Sequence, residues 1–143
     1  MKKYKQKIIP MVSTESWKQL TKKELIEHAY ELYLSKLSGV EVINEDLGIT
    51  VKFEKWSAKK TTKGSALYSK KAAIIEVLDD LVRYAEFSNW GNRKDNDITS
   101  VIGYFNMKVM VKIDGILEHI HLVIQVKNNG KFHYTMEVNK KNR

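Results

Sequence analysis

The chain contains no cysteine. That excludes a disulfide scaffold, cysteine-ligated zinc, iron–sulfur clusters and a thiol nucleophile, and it fits a reducing compartment. Proline occurs once, at Pro10, and among 25 cationic side chains only Arg83, Arg93 and Arg143 are arginine. Reading base edges relies on guanidinium forks, so sequence-specific recognition of nucleic acid is poorly supplied. Long apolar runs are missing as well. A membrane-spanning helix needs about 20 apolar residues and a secretory core about 7–15, whereas the Lys-rich start is followed only by Ile8 and Ile9. These absences lead to the expectation of a cytoplasmic protein without a membrane partner. Positive charge is abundant: 25 basic against 17 acidic residues give +8 over 143 residues, a balance suited to a polyanionic partner. A chain of this length, 43% hydrophobic, can bury one ordinary core.

Residues 1–20 carry Lys2, Lys3, Lys5 and Lys7 with little periodicity and read as a basic, mobile arm with a helical turn near Trp17. Residues 21–143 read as a single α+β domain. Thr21 and Glu24 have the spacing of a capping box, and Leu25, Ala29, Leu32, Tyr33 and Leu37 follow at helical intervals up to Gly39. Val42 and Ile43, then Ile49, Val51 and Phe53 around Gly48, make a hairpin. The segment 55–69 has no period and reads as a basic loop. Ser69 then caps a second helix with an apolar stripe of Ile74, Val77, Leu78, Leu81, Val82 and Ala85, and residues 88–100 read as a surface connection.

The last third alternates from Val101 to Ile113 and carries Asp114-Gly115, a strong type I′ hairpin signal. If Ile113 opposes Ile116, then Met107 opposes Leu122, Met110 opposes His119, Lys108 opposes His121 and Tyr104 opposes Gln125. A three-residue turn ending at Gly130 would place Phe132, Tyr134, Met136 and Val138 on the apolar face; a two- or four-residue turn would reverse this. The expected fold class is therefore α+β, with two main helices on one face of an antiparallel sheet of about four to five strands.

With that register, one face carries Tyr104, Asn106, Lys108, His119, His121, Gln125, His133, Thr135 and Glu137. Cleavage of RNA without metal needs a base for the ribose 2′-hydroxyl, an acid for the leaving oxygen and a cation for the phosphate. His121 and Glu137 could share the first two roles, with Lys108 as the clamp. Polar alternation is also the ordinary way to solvate one sheet face. His119 and His121 could ligate a metal, but no third and fourth ligand are identifiable, so neither metal nor other cofactor is expected. The loop lysines Lys59, Lys60 and Lys63, interleaved with Trp56, Ser65 and Tyr68, suit a phosphate backbone with stacked bases, or else form a solvated loop with Trp56 tucked into the core. No phosphate loop, G-x-S-x-G, His-Glu-x-x-His or helix-turn-helix pattern occurs.

The segments VEVINEDLGITVKFEKWSAKKTTKGS and VIGYFNMKVMVKIDGILEHIHLVIQVKNNGKFHYTMEV, set around two helices, resemble the third type of large polyvalent protein-associated domain of phages and mobile elements. That family is similar to the barnase, EndoU, colicin and RelE-like nuclease fold. The resemblance implies an RNase-like fold with its active site on the sheet face, loop contributions from Lys59, Lys60 and Ser65, and Tyr134 or Glu137 from the last strand. Lysine stands in the loop where a histidine is often found. Three functions follow as expectations. The first is a metal-independent endoribonuclease using His121, Glu137 and Lys108, with Lys59, Lys60, Lys63, Ser65, Tyr104, His119, His133 and Thr135 binding substrate. An acidic immunity-type protein would be its partner. The second is a non-catalytic binder of nucleic acid, RNA rather than DNA. The third is a protein-interaction domain anchored by Trp17, Trp56 or Trp90.

Overall fold

The computed structural model describes residues 6–63, 68–94 and 100–135. Its spine is the hairpin of β5 (Val101–Ile113) and β6 (Ile116–Lys127). Asp114 and Gly115 both have positive φ, 53° and 81°, as a type I′ turn requires. Ile113 faces Ile116, Met110 faces His119, Lys108 faces His121, Met107 faces Leu122 and Tyr104 faces Gln125. The odd residues of β5 and the even residues of β6 bury Met107, Val109, Val111, Ile120, Leu122 and Ile124.

The next turn spans three residues. Lys127 donates its N–H to the Lys131 carbonyl at 3.0 Å, Gly130 donates to the Lys127 carbonyl at 3.0 Å, and Gly130 has φ 81°. It delivers β7 (Phe132–Thr135) with Tyr134 opposite Ile124 and His133 opposite Gln125. Phe132 and Tyr134 therefore join the apolar face, as the hydrophobic pattern favours. Met136, Glu137 and Val138 lie outside the described residues.

The expected architecture of two helices on a four- to five-stranded antiparallel sheet is not the one adopted. The sheet is mixed and seven-stranded, curls into a half-barrel, and is accompanied by about five helices. The hairpin of β2 (Glu41–Asn44) and β3 (Ile49–Lys52) docks through β3, which runs parallel to β7. β1 (Met11–Val12) runs parallel to the far end of β5. β4 (Glu86–Asn92) pairs antiparallel with the near end, spanning the end of the expected second helix and the start of what reads as a surface connection in the sequence. Its sequence carries Ser88, Asn89, Gly91 and Asn92 and no apolar alternation, because this outer strand is largely exposed. Between β4 and β1 the side chain of Gln6 takes the place of a strand: its amide donates to the Met110 carbonyl at 2.9 Å and accepts the Met110 N–H at 2.8 Å. Two backbone groups on an otherwise open edge are thus satisfied.

The helices cover the apolar face. α1 (Glu15–Lys18) buries Trp17, so the segment expected to be a basic arm contributes to the core. α2 (Lys22–Leu32) begins with the full Thr21/Glu24 capping box and ends in a π-helical turn, Tyr33–Leu37, before Gly39 at φ 83°. The basic segment after Glu54 forms α3 (Ser57–Thr61) rather than a loop. The expected second helix is divided into α4 (Ser69–Ile75) and α5 (Leu78–Tyr84); Tyr68, not Ser69, is the residue before its first turn. Val77 leaves helical geometry at φ −123°, ψ 16°. The break lets α4 bury Ala72, Ala73, Ile74 and Ile75 all round while α5 buries Leu78, Leu81 and Val82, which one straight stripe could not do.

β4 makes one especially close approach to β5. A Cβ on Gly103 would lie 2.0 Å from Trp90 Cζ2 and 2.7 Å from the Gly91 carbonyl oxygen, and the Trp90 ring also meets Phe105 edge-on at 5.6 Å. Gly103→Ala must displace the indole and part of the β4 backbone. It is expected to cost about 1–3 kcal/mol in urea unfolding; an unchanged midpoint would show that Trp90 does not seat over Gly103.

Candidate functional site

Strand parity places Lys108, His121, Asn106, Tyr104, Gln125, His133 and Thr135 on the sheet face opposite the helices. This face is not uniformly solvated. Val123, Gln125, His133 and Thr135 are buried, His121 and Tyr104 are half-buried, and Lys108 and His119 are exposed. The contacts of these side chains separate the face into two regions.

The first region holds two of the three expected catalytic groups. Lys108 and His121 face each other across β5 and β6. His121 Nε2 lies 3.0 Å from Asn106 Oδ1. An amide oxygen only accepts, so this contact is a hydrogen bond when Nε2 carries a proton. Lys108 Nζ is 3.6 Å from Glu86 Oε1. Glu86 is a partner that cannot be foreseen while its position reads as the end of the second helix. Lys108, Glu86, His119, Tyr84, Met110 and Gln6 line a cleft of about 430 Å³. Glu137, the third expected catalytic residue, lies outside the described residues, as does Ser65. Tyr104 carries Lys94 over its ring, Nζ 5.8 Å from the centroid.

The second region lies where β7 meets β3. His133 pairs in register with Lys52 on one side and Gln125 on the other. Its Nδ1 lies 3.1 Å from Glu54 Oε2. Burial lowers the His133 pKa below its ordinary value of 6.5, the Glu54 carboxylate opposes this, and the positive charges of Lys127, Lys52 and Lys131 add to the lowering. Lys52, Glu54, Glu41, Thr50, Lys131 and His133 are among the groups around a cleft of about 610 Å³. Sequence reading places His133 on the correct face but misses Glu54, because the β3–β7 contact joins residues some 80 positions apart.

Among the described residues β3 pairs with β7 only through Val51 and Lys52. The chain then turns into α3, and the Ser57 hydroxyl donates to the Tyr134 carbonyl at 3.3 Å, closing the strand edge. Ser57, Ala58 and Thr61 face inward, while Lys55, Lys59, Lys60 and Lys63 are exposed. Trp56 is 45% exposed, so it is not part of the core. Lys60 Nζ stands 5.4 Å from the centre of its ring. Thr135 is buried at the end of β7 beside this helix.

Among the described residues no group of three or more His, Asp or Glu side chains is arranged to hold a metal ion. No helix among them is long and apolar enough to cross a membrane.

The architecture and these two regions define a small basic α+β domain with one polar sheet face. Residues 21–134 match the family model of large polyvalent protein-associated domain 3, and the chain belongs to that family. No curated protein and no solved structure matches it.

The pH dependence of stability follows from His133. Its folded pKa lies below the unfolded value, so the unfolded chain takes up the proton first. The His133 contribution is complete above about pH 6.5 and declines as the pH falls below it. Urea midpoints at pH 7.5 and 5.5 should differ more for the wild type than for His133→Gln; equal differences would show that the imidazole is not held neutral by its site.

Proposed function

We propose that the domain binds single-stranded RNA, with α3 and the residues flanking it as the primary contact. The observation that carries this reading is the exposed Trp56 indole with Lys60 against its face and Lys55, Lys59 and Lys63 around it. Burying an indole is worth about 1.5–3 kcal/mol or more, so a tryptophan left at the surface among lysines is better suited to a ligand than to the core. Among the described residues these four lysines form no ion pair with a carboxylate. Their charge can meet phosphates, where release of condensed counterions supplies affinity. Aromatic faces accept any base, and the scarcity of arginine fits weak sequence preference.

A second reading, metal-independent cleavage of RNA, is favoured by Lys108 and His121 facing each other beside the Lys108–Glu86 pair. Lys108 would hold the scissile phosphate and His121 would transfer a proton, as the resemblance to nuclease-like domains implies.

Fluorescence anisotropy with a labelled unstructured RNA at two salt concentrations tests the binding. Trp56→Ala should weaken it by about 1–3 kcal/mol. Joint replacement of Lys59, Lys60 and Lys63 by Ala should reduce the slope of log affinity against log salt by about 2, on the order of 0.7 for each phosphate that is no longer neutralised. Wild-type affinity in both variants would remove α3 from the interface. For the second reading, a mixed RNA pool is incubated with protein in EDTA. Cleavage that disappears in His121→Ala and in Lys108→Ala is the expected result, and an intact pool with the wild type rejects catalysis while leaving the binding reading in place.

A further inference from the structure

The apolar face of the sheet is not buried to its end. Met107, Leu122 and Ile124 are enclosed, but beyond them on the same face Phe87, Phe105 and Phe132 are only half-buried and Trp90 is 43% exposed. The four rings form one connected cluster across β4, β5 and β7. Phe105 meets Phe87 and Trp90 edge-on, each with centroids 5.6 Å apart, and stacks with Phe132 at 5.8 Å with the planes 23° apart.

The backbone is shaped to assemble this cluster. Phe87 and Trp90 are three residues apart, a spacing that sends side chains of a regular strand to opposite faces. A bulge at Ser88 takes up one residue: Phe87 pairs with Met107 and Asn89 with Asn106, so Trp90 falls opposite Phe105. The indole is then fixed in place. Its Cζ2 and Cη2 atoms fill the space above Gly103, and Nε1 donates to Asn92 Oδ1 at 3.2 Å. A ring held in this way loses little freedom when a ligand stacks on it. Connected apolar rings left at a surface mark a place where something binds.

Charge identifies the occupant. The carboxylates at β4 are engaged: Asp46 accepts the Phe87 N–H at 2.7 Å, and Glu86 lies 3.6 Å from Lys108 Nζ. Arg93 and Lys94 follow β4 directly, and Lys131 directly precedes Phe132; all three are exposed. An apolar protein segment would leave these cations unmatched. A single-stranded nucleic acid brings flat rings for the aromatic side chains together with phosphates for the cations.

We infer that Trp90, with Phe105 and Phe132 continuing its apolar surface, stacks on an unpaired base of the bound RNA, as a contact separate from α3. The inference rests on the RNA-binding reading and extends it from the basic helix to the end of the sheet.

The full chain is labelled with 5-fluorotryptophan, which gives one ¹⁹F resonance each for Trp17, Trp56 and Trp90, assigned through Trp56→Phe and Trp90→Phe. A short unstructured RNA and an abasic ribose–phosphate oligomer of the same length are titrated in, with affinity followed by anisotropy. The RNA should move the Trp90 resonance and the abasic oligomer should not. Trp90→Ala should weaken RNA binding about 5- to 150-fold, the worth of one stacked base. It should leave abasic affinity and the salt slope for RNA unchanged, because no cation is lost, and Trp90→Phe should restore much of the affinity. The resonances are read on the wild type, so the test does not depend on Trp90→Ala folding. A Trp56 resonance that moves with RNA while Trp90 stays in place overturns stacking on the sheet and leaves binding through α3 standing. A Trp90 resonance that the abasic oligomer moves equally also overturns it. Movement of Trp90 without Trp56 supports the stacking site and removes α3 instead. Failure of the RNA to bind overturns both.

Discussion

Asp114 carries two constraints at once, and much of the molecule hangs on them. Its φ of 53°, followed by Gly115 at 81°, makes the two-residue turn that sets which residues of β5 and β6 share a face. Side-chain period is two, so a slip of one residue would exchange Met107 and Leu122 for Lys108 and His121 at the core. The same residue's carboxylate accepts the Thr14 N–H at 2.8 Å and the Thr14 hydroxyl at 2.6 Å, and these bonds hold its pKa below the usual carboxylate range. Asparagine or glycine would also satisfy the turn. Only a carboxylate gives Thr14 two charge-assisted bonds. The hairpin tip thereby fixes the N-terminal segment so that Trp17 enters the core and β1 extends the sheet.

Local chemistry is readable wherever the partners lie close in sequence. Thr21 with Glu24, Asp114 with Gly115, and the Gly130 turn each form as their residue types require. Parity then carries the facing of Lys108, His121, Tyr104 and His133 across three strands. What the sequence does not disclose is pairing at a distance. β1 has two residues and no pattern of its own. β4 is an outer strand whose composition is that of a loop, and Gly103 leaves room for its Trp90. Val77 sits inside an apolar stripe that continues unbroken in sequence, so the break between α4 and α5 is not marked there. The antiparallel expectation fails because both parallel contacts, β1 with β5 and β3 with β7, join segments about 80–100 positions apart in the chain.

The candidate site shows the same division. The two groups named for chemistry, Lys108 and His121, do face each other, yet what each can do depends on partners supplied by other residues. Glu86 reaches Lys108 from β4, and Asn106 orients His121 from the same strand as Lys108. In the sequence His133 is one of several polar residues on an alternating strand. Only the parallel docking of β3 gives it Glu54 and Lys52. Strand alternation alone cannot distinguish a solvated histidine from a positioned one. His119, exposed, and His133, buried, come from the same pattern and end in different states.

Residues 52–60 connect the cleft to the helix because two periods meet there. Lys52 closes β3 and lies beside His133, and Glu54, two residues on, reaches the same imidazole while Phe53 between them is fully buried. At Trp56 the chain takes helical dihedrals, φ −64° and ψ −21°, and the period changes. Ser57, Ala58 and Thr61 turn inward, leaving Trp56, Lys59 and Lys60 at the surface. A continued strand would have sent Trp56 to the same side as Lys52 and Glu54, and Lys59 to the opposite side from Lys60. The early turn into α3 gathers the exposed ring and its lysines on one helix face, a few residues along the chain from the cleft. The hydroxyl of Ser57 on the Tyr134 carbonyl holds that turn against β7, so the strand bearing His133 and the helix bearing the lysines are tied to each other by a buried hydrogen bond.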